Sequence, residues 1–350
     1  MEVTRVGVAI IGAGVVGALR ARTVERQPAM RLCAIADVDL ERARVVTGDA
    51  AVRVAADYRD LLQDPDVGVV IVSSPVQCHE DMALAALRSG KHVLVEKPLA
   101  NTADACRRLV DEAARGGRVL GVGFNHRFYP SFRFLKRLLE GGALGPVDHV
   151  RAFGGHEGMS QFRAPWMYER ATLGGGAMMD VGIHVADLIG YLGFHVSEVT
   201  ARVTNGVWHV PGSEDNAMVI ARTADDVAIT YQATWSEWKG YRLRVEVYGR
   251  DGMALAFYPP LLNLVVRRTG ANGHRRRQWK LYPVENVRER LRGWQVTAED
   301  AFAAELADFL RLLAGQSSDC ADGVAGCRAV EFAEAAVRSS ATGRSVTIGG

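Results

Sequence analysis

The sequence predicts an α/β protein in two parts: an N-terminal doubly wound parallel sheet over residues 1–124, and a C-terminal α+β domain over 125–350 built on a large, mainly antiparallel open sheet. Three observations carry that prediction. The apolar run Val6–Ile11 opens directly onto Gly12-Ala13-Gly14-Val15-Val16-Gly17, the spacing of a turn that lets main chain approach a phosphate. Strand-like and helix-like stretches then alternate up to residue 124, as βαβ units do. From residue 147 onward the pattern changes to successive strands joined by turn signals such as Gly249-Arg250-Asp251-Gly252 and Asn272-Gly273, which suits antiparallel pairing.

A chain of 350 residues exceeds one ordinary core, so two domains are the natural expectation. With 48% hydrophobic and 23% charged residues, the composition is that of a folded globular chain rather than a disordered or membrane-spanning one. A formal net charge of +2 attracts polyanions only weakly, which argues against nucleic acid or a membrane as partner and for a small molecule. The one dense basic run, 274–280 with Arg275, Arg276 and Arg277, reads as a solvated strand edge or loop. Cys33, Cys78, Cys106, Cys320 and Cys327 are scattered without the Cys/His spacing of a zinc site, so neither a metal nor a disulfide framework is expected. The N-terminal apolar run is too short for a signal and reads as a strand, and a cytoplasmic location is the expectation.

Within the glycine turn, Gly12 permits the tight bend and Gly14 the approach to a pyrophosphate. Gly17 lets the following helix, Val15–Glu25, pack closely, and the helix N-terminus favours phosphate charge. A second strand at 31–36 ends at Asp37, twenty residues after Gly17, where a ribose-binding acid belongs. Its carboxylate would accept from the adenosine ribose hydroxyls and repel a 2′-phosphate, favouring NAD. Arg42 and Arg44 temper that preference, so NADP stays open, and Asp37 also suits a turn or N-cap before a helix near 40–46. Strand 67–73, helix 79–89, strand His92–Glu96, helix 102–115 and strand 119–123 complete a Rossmann-type sheet, whose ligands sit beyond the carboxyl ends of the strands. Ser73, Ser74, Pro75, Glu96 and Lys97 lie at such ends and are expected beside a cofactor. His79 reads either as a further neighbour or as a helix-start residue. An ammonium at Lys97 can donate to a hydroxyl or ketone oxygen and stabilise the charge that develops there in hydride transfer.

In the second part, a helix is expected at 130–139 and strands at 147–154, 199–204, 217–222, 227–235, 242–248, 253–258 and 261–268. Helices at 301–313 and 323–339 should pack near the domain junction. The stretch 174–184 holds three consecutive glycines, then Asp180 and His184 four residues apart. Three glycines let main chain approach another body, here expected to be the cofactor cleft. A helix continuing from them would put the carboxylate and imidazole on one face as an acid/base pair; the alternative is a glycine-rich turn and a surface ion pair. The preceding loop, 158–172, carries Arg163, Trp166 and Tyr168, whose rings suit a sugar face. Glu157, Asp215 and Glu237 would make the pocket acidic and suit an amino sugar, whereas Trp208, Trp235 and Trp238 read as core or interface more readily than as site. One sheet face covered by helices leaves the other for a homo-oligomer, dimer or tetramer.

Four stretches together carry a resemblance. They are the GxGxxG turn, Gly90-Lys91-His92-Val93-Leu94-Val95-Glu96-Lys97-Pro98, Gly123-Phe124-Asn125-His126-Arg127-Phe128, and 174–184. The chain resembles the Gfo/Idh/MocA oxidoreductases over nearly its whole length, and Glu-Lys-Pro and Asp-x-Gly-x-His are far more selective than GxGxxG. The resemblance implies a Rossmann domain, a C-terminal open antiparallel sheet, and use of NAD or NADP on sugars, cyclitols and related alcohols. It places Lys97, Asp180 and His184 in the catalytic lysine, carboxylate and histidine positions, all three also facing substrate, and Asn125 beside the cofactor. The expected reaction is hydride transfer between nicotinamide and a secondary alcohol or ketone of a sugar, amino sugar, aminoglycoside or cyclitol. A redox-neutral glycosidase holding NAD tightly and a non-catalytic cofactor-binding sensor are the alternatives, and the retained Lys97, Asp180 and His184 weigh against the sensor.

Overall fold

The computed structural model describes residues 5–48, 51–160, 168–269 and 274–349. Strands β1 (Val6–Ile11), β2 (Met30–Ala36), β3 (Arg53–Ala55), β4 (Val69–Val72), β5 (His92–Glu96) and β6 (Leu120–Gly123) form a parallel sheet in the order β6-β5-β4-β1-β2-β3. β4 is entirely buried, as expected of a strand between two helical layers, and this is why the sequence shows unbroken Val/Ile runs rather than alternation. The order reverses between β1 and β4, which pair in register from Val8↔Val69 to Ile11↔Val72. That reversal is the switch point at which open α/β sheets hold ligands.

The helix Val15–Glu25 finds its partner far along the chain, in Gln295–Leu313. Leu19 and Val16 pack with Ala298 and Phe302, and Arg22 and Arg26 both pair with Glu299. Beneath them Arg20 is fully buried, 2.5 Å from Glu96 on one side and 2.5 Å from Glu305 on the other, with its guanidinium 4.0 Å from the Phe302 ring. Removing one partner of such a group would leave an uncompensated interior charge. These contacts place Trp294–Cys327 in the same compact unit as the residues up to Asn125, a different grouping from 1–124 and 125–350. The apolar stripe of the late helix was legible, but the surface it covers was not.

The second unit comprises His126–Gly293 and the residues from Arg328. Its strands are β7 (Val147–Gly155), β8 (Val196–Thr204), β9 (Asn216–Thr223), β10 (Ala228–Thr234), β11 (Arg242–Gly249), β12 (Gly252–Tyr258), β13 (Leu262–Thr269) and β14 (His274–Leu281). Two short strands follow: β15 (Ala321–Asp322) extends the first sheet antiparallel to β6, and β16 (Val346–Thr347) extends the second beside β8. The second sheet runs β14-β13-β12-β11-β7-β10-β9-β8-β16. Its neighbours are antiparallel except β7 and β10, which run parallel from Ala228↔His149 to Thr234↔Gly155. In β9, Ala217, Val219 and Ala221 are buried while Met218 and Ile220 are exposed, the alternation of a sheet covered on one face only. The basic run lies on the edge strand β14, where charge discourages stray strand pairing. Among the described residues no helix is long and apolar enough to cross a membrane.

Candidate active site

In the first unit, chemistry gathers where β1 and β4 end side by side. Gly12 turns there with φ +99°, and a Cβ on it would stand 2.7 Å from the Ser73 carbonyl oxygen, so glycine is required. A Cβ on Gly17 would come closer still, 1.9 Å from the Gly12 carbonyl oxygen. Gly14 differs: it is the N-cap of Val15–Glu25 without a capping side chain, and nothing lies within 4 Å of where its Cβ would be. The first and third glycines therefore serve the chain's own packing, and the second leaves room before first-turn amides, as a pyrophosphate needs. The Ser73 and Ser74 hydroxyl oxygens are buried without a partner in the structure, a costly arrangement that polar groups of a bound dinucleotide would relieve.

Asp37 occupies the other side of the turn. Its Oδ2 accepts from the Ala13 N–H at 2.7 Å, and its Oδ1 from the Asp39 N–H at 2.8 Å and the Arg42 guanidinium at 2.6 Å. Burial alone would raise the carboxyl, but Arg42 and the two amides outweigh it and hold Asp37 below the usual carboxylate range. An ionised Asp37 keeps lone pairs for ribose hydroxyls, so these residues fit NAD. Lys97 follows β5, whose Val95 pairs in parallel with Val72 of β4, and so emerges at the same sheet edge as Ser73.

Several expected cofactor residues have inward roles. Val16 packs into the Leu19–Phe302 cluster, while Val15 is exposed. Glu96 turns to Arg20. His79 is buried, with Nε2 2.9 Å from the Ser74 carbonyl oxygen and Nδ1 2.8 Å from that of Pro98. It ties together the turns that follow β4 and β5. Burial lowers its pKa, against the pull of those carbonyls and of Glu96. Asn125 is buried at the end of this unit, and Pro75 caps the single turn Val76–Cys78.

In the second unit, Asp180 sits in the π-helical turn Met178–Gly182, which leads into the helix Ile183–Tyr191 bearing His184. Such turns recur at functional sites. Two donors unforeseen from the sequence hold Asp180: its Oδ2 accepts from His156 Nε2 at 2.8 Å and from Trp235 Nε1 at 3.0 Å. His156 Nδ1 accepts the Gly158 N–H at 2.9 Å, which assigns the ring proton to Nε2 as the donor to Asp180. His156 and Trp235 directly follow β7 and β10, the one parallel pair of this sheet, and therefore leave it from the same edge. A strand-end histidine was visible at 156, but the pairing of β7 with β10 was not.

Around this group lie more rings. The His184 and His126 ring centroids are 3.7 Å apart, and the Tyr241 hydroxyl reaches His126 Nε2 at 3.5 Å. Burial, with Tyr129 and Asp180 nearby, pushes the Tyr241 hydroxyl well up, so it remains a neutral donor. One turn beyond His184, Asp187 forms a buried bidentate pair with Arg127 at 2.8 and 2.5 Å, which anchors the helix.

Three expectations change. The glycines of 174–176 approach the chain itself: a Cβ on Gly176 would lie 2.1 Å from the Glu214 carbonyl oxygen and 2.3 Å from its nitrogen. Asp215, expected to line a pocket, is buried, its Oδ2 accepting from the Val207 and Trp208 amides at 2.6 and 3.0 Å. Trp235, read as core, is buried yet also donates to Asp180. Tyr168 packs edge-on against Trp235, with ring centroids 5.1 Å apart, and donates to the Gly158 carbonyl at 3.3 Å. Arg163 and Trp166 lie outside the described residues.

With this geometry in place, comparison with known proteins is decisive. The family profile described as "Oxidoreductase family, NAD-binding Rossmann fold" matches residues 6–124, and the "GFO/IDH/MocA C-terminal domain" matches 132–255. An inositol 2-dehydrogenase of Saccharopolyspora erythraea is 31% identical over 97% of this chain and 95% of its own. The chain belongs to the Gfo/Idh/MocA oxidoreductase family. An inositol 2-dehydrogenase of Acidothermus cellulolyticus is 34% identical over 87% of this chain and 84% of its own. The solved structure of GenD2 from gentamicin A biosynthesis, in complex with NAD, superposes with a TM-score of 0.81 at 26% identity, covering 100% of this chain and 98% of that one. This member of the family is thus an NAD-binding oxidoreductase and a dehydrogenase, with a Rossmann unit and a mainly antiparallel second sheet.

Proposed function

We propose that the protein transfers hydride between NAD(H) and a secondary alcohol or ketone on a sugar or cyclitol ring, with Lys97, Asp180 and His184 as the groups that meet the reacting oxygen. The observation that carries the reading is the fixed Asp180 carboxylate, held by two neutral N–H donors in a histidine- and tyrosine-rich setting whose helix also bears His184. An anion so held cannot relax away from a developing imidazolium, which raises the value of His184 as proton acceptor from an alcohol. Lys97 donates to the same oxygen and stabilises its charge. The Gly12–Gly17 amides, Asp37 and the Ser73 and Ser74 hydroxyls would hold NAD, whose nicotinamide supplies the hydride acceptor.

The relatives named inositol 2-dehydrogenase support a cyclitol, and GenD2 an amino-sugar scaffold. With Asp215 buried away from solvent, the second choice has fewer acidic groups to line its pocket. The exposed face of the second sheet suits a homodimer or homotetramer. The test is turnover of the purified protein with NAD and with NADP against sugars, cyclitols and aminoglycosides, following reduced nicotinamide. His184→Ala should abolish turnover, a loss of about 100-fold or more, while NAD affinity is unchanged; near-normal turnover would reject the assignment.

A further inference from the structure

The helical segment that carries Asp180 begins with three successive amides, and one residue takes all of them. Glu214 Oε2 accepts from the Gly176 N–H at 3.0 Å, Oε1 from the Met178 N–H at 2.9 Å, and its main-chain carbonyl from the Ala177 N–H at 2.8 Å. Its neighbours complete the arrangement. The Asp215 carbonyl accepts the Trp235 N–H at 2.7 Å, and the single Ser213 hydroxyl proton is shared between the Tyr168 carbonyl at 2.8 Å and the Gly175 carbonyl at 3.2 Å. Ser213, Glu214 and Asp215 are all buried. One tripeptide thus grips both ends of the Trp235–Asp180 hydrogen bond: the helix start that brings the carboxylate and the strand end that brings the indole.

We propose that Glu214 is a positioning residue which, through the Gly176 and Met178 amides, sets the Asp180 carboxylate against Trp235 and His156. The inference rests on the reading of Asp180 as a catalytic carboxylate. A glutamine here would turn an NH2 toward one of the two N–H donors, so two acceptor oxygens, not merely the shape, are required. Burial pushes the Glu214 carboxyl up, against the pull of the two amides and of Arg170, and the buried Tyr231 hydroxyl also faces it. Two carboxyl oxygens buried to receive the Gly176 and Met178 amides call for such a role.

The experiment uses the full chain labelled with 15N at its indoles, the Trp235 Nε1–H resonance being assigned with Trp235→Phe. In Glu214→Gln this resonance should move in the same direction as in Asp180→Asn, while those of Trp279 and Trp294 stay in place. On an active substrate, kcat should fall on the order of tenfold to a hundredfold with KM for NAD unchanged. An unmoved Trp235 resonance overturns the proposal, as does a loss of kcat no larger than twofold. Should Glu214→Gln not fold, Glu214→Asp, which keeps the charge but withdraws the oxygens, is judged by the same resonance. Because that readout needs no substrate, absence of turnover in the wild type would count against the dehydrogenase reading alone.

Discussion

At the scale of single residues, the carboxyl groups of Asp37 and Asp180 meet different partners. Asp180 accepts from Trp235 and His156, so Asp180→Asn keeps an acceptor for both but loses the charge that steadies an imidazolium. Its turnover should fall by about 100-fold or more with its thermal midpoint little changed; stopped-flow reduction of NAD checks the first and calorimetry the second. Asp37 is held chiefly by Arg42, against burial, and its folded pKa is depressed. A carboxyl of lowered pKa contributes stability that is fully present above its unfolded value, about 3.9, and lost as pH falls through the folded one. In urea unfolding, the advantage of wild type over Asp37→Asn should therefore hold at neutral pH and close in the acid range; a gap independent of pH would show that Asp37 does not act through its charge. Lys97, Asp180 and His184 could be proposed from the sequence because residue type and motif spacing are local. His156 and Trp235 were not, since they are brought together by a parallel strand pairing between segments nearly eighty residues apart.

At the scale of elements, glycines separate local need from tertiary need. Gly176 touches the Glu214 main chain, which cannot swing away as a side-chain tip would. Gly190, near the end of Ile183–Tyr191, has nothing within 4 Å of an added Cβ. Gly176→Ala should cost about 1–3 kcal/mol by overpacking and displace Asp180, whereas Gly190→Ala should gain about 0.5–1 kcal/mol from helix propensity. Paired denaturant melts and turnover assays distinguish them: two similar outcomes would mean that the triple glycine is only a flexible turn. The sequence showed that main chain comes close to something at 174–176. That this partner is Glu214 depends on where β9 begins, which no local pattern encodes. The helix Gln295–Leu313 teaches the same point, since its apolar stripe was readable while its seat on Val15–Glu25 was not.

At the scale of the whole molecule, a sheet with one face covered by helices was the expectation, and β9 of the second unit alternates buried and exposed residues as such a sheet does. Its open face exposes Met218 and Ile220 at 54% and 66%, and edge strand β14 adds Trp279 and Leu281 at 57% and 63%. Around the first pair lies a shallow concavity lined by Arg151, Phe153, Arg202 and Arg244. Exposed apolar side chains interspersed with arginines on a broad, uncovered sheet face suit an association surface, because the apolar groups exclude water on contact while the arginines stay solvated or pair. A face that meets its own copy is buried symmetrically, so two substitutions per chain place four charges in each interface. The protein should accordingly elute at a multiple of the 38.0 kDa chain mass in light-scattering chromatography. Met218→Asp with Ile220→Asp should shift it to 38.0 kDa with NAD affinity preserved, since both residues lie on the second sheet and NAD is held by the first unit. A wild type that is monomeric at micromolar concentration, or a double variant that still associates, would move the interface elsewhere.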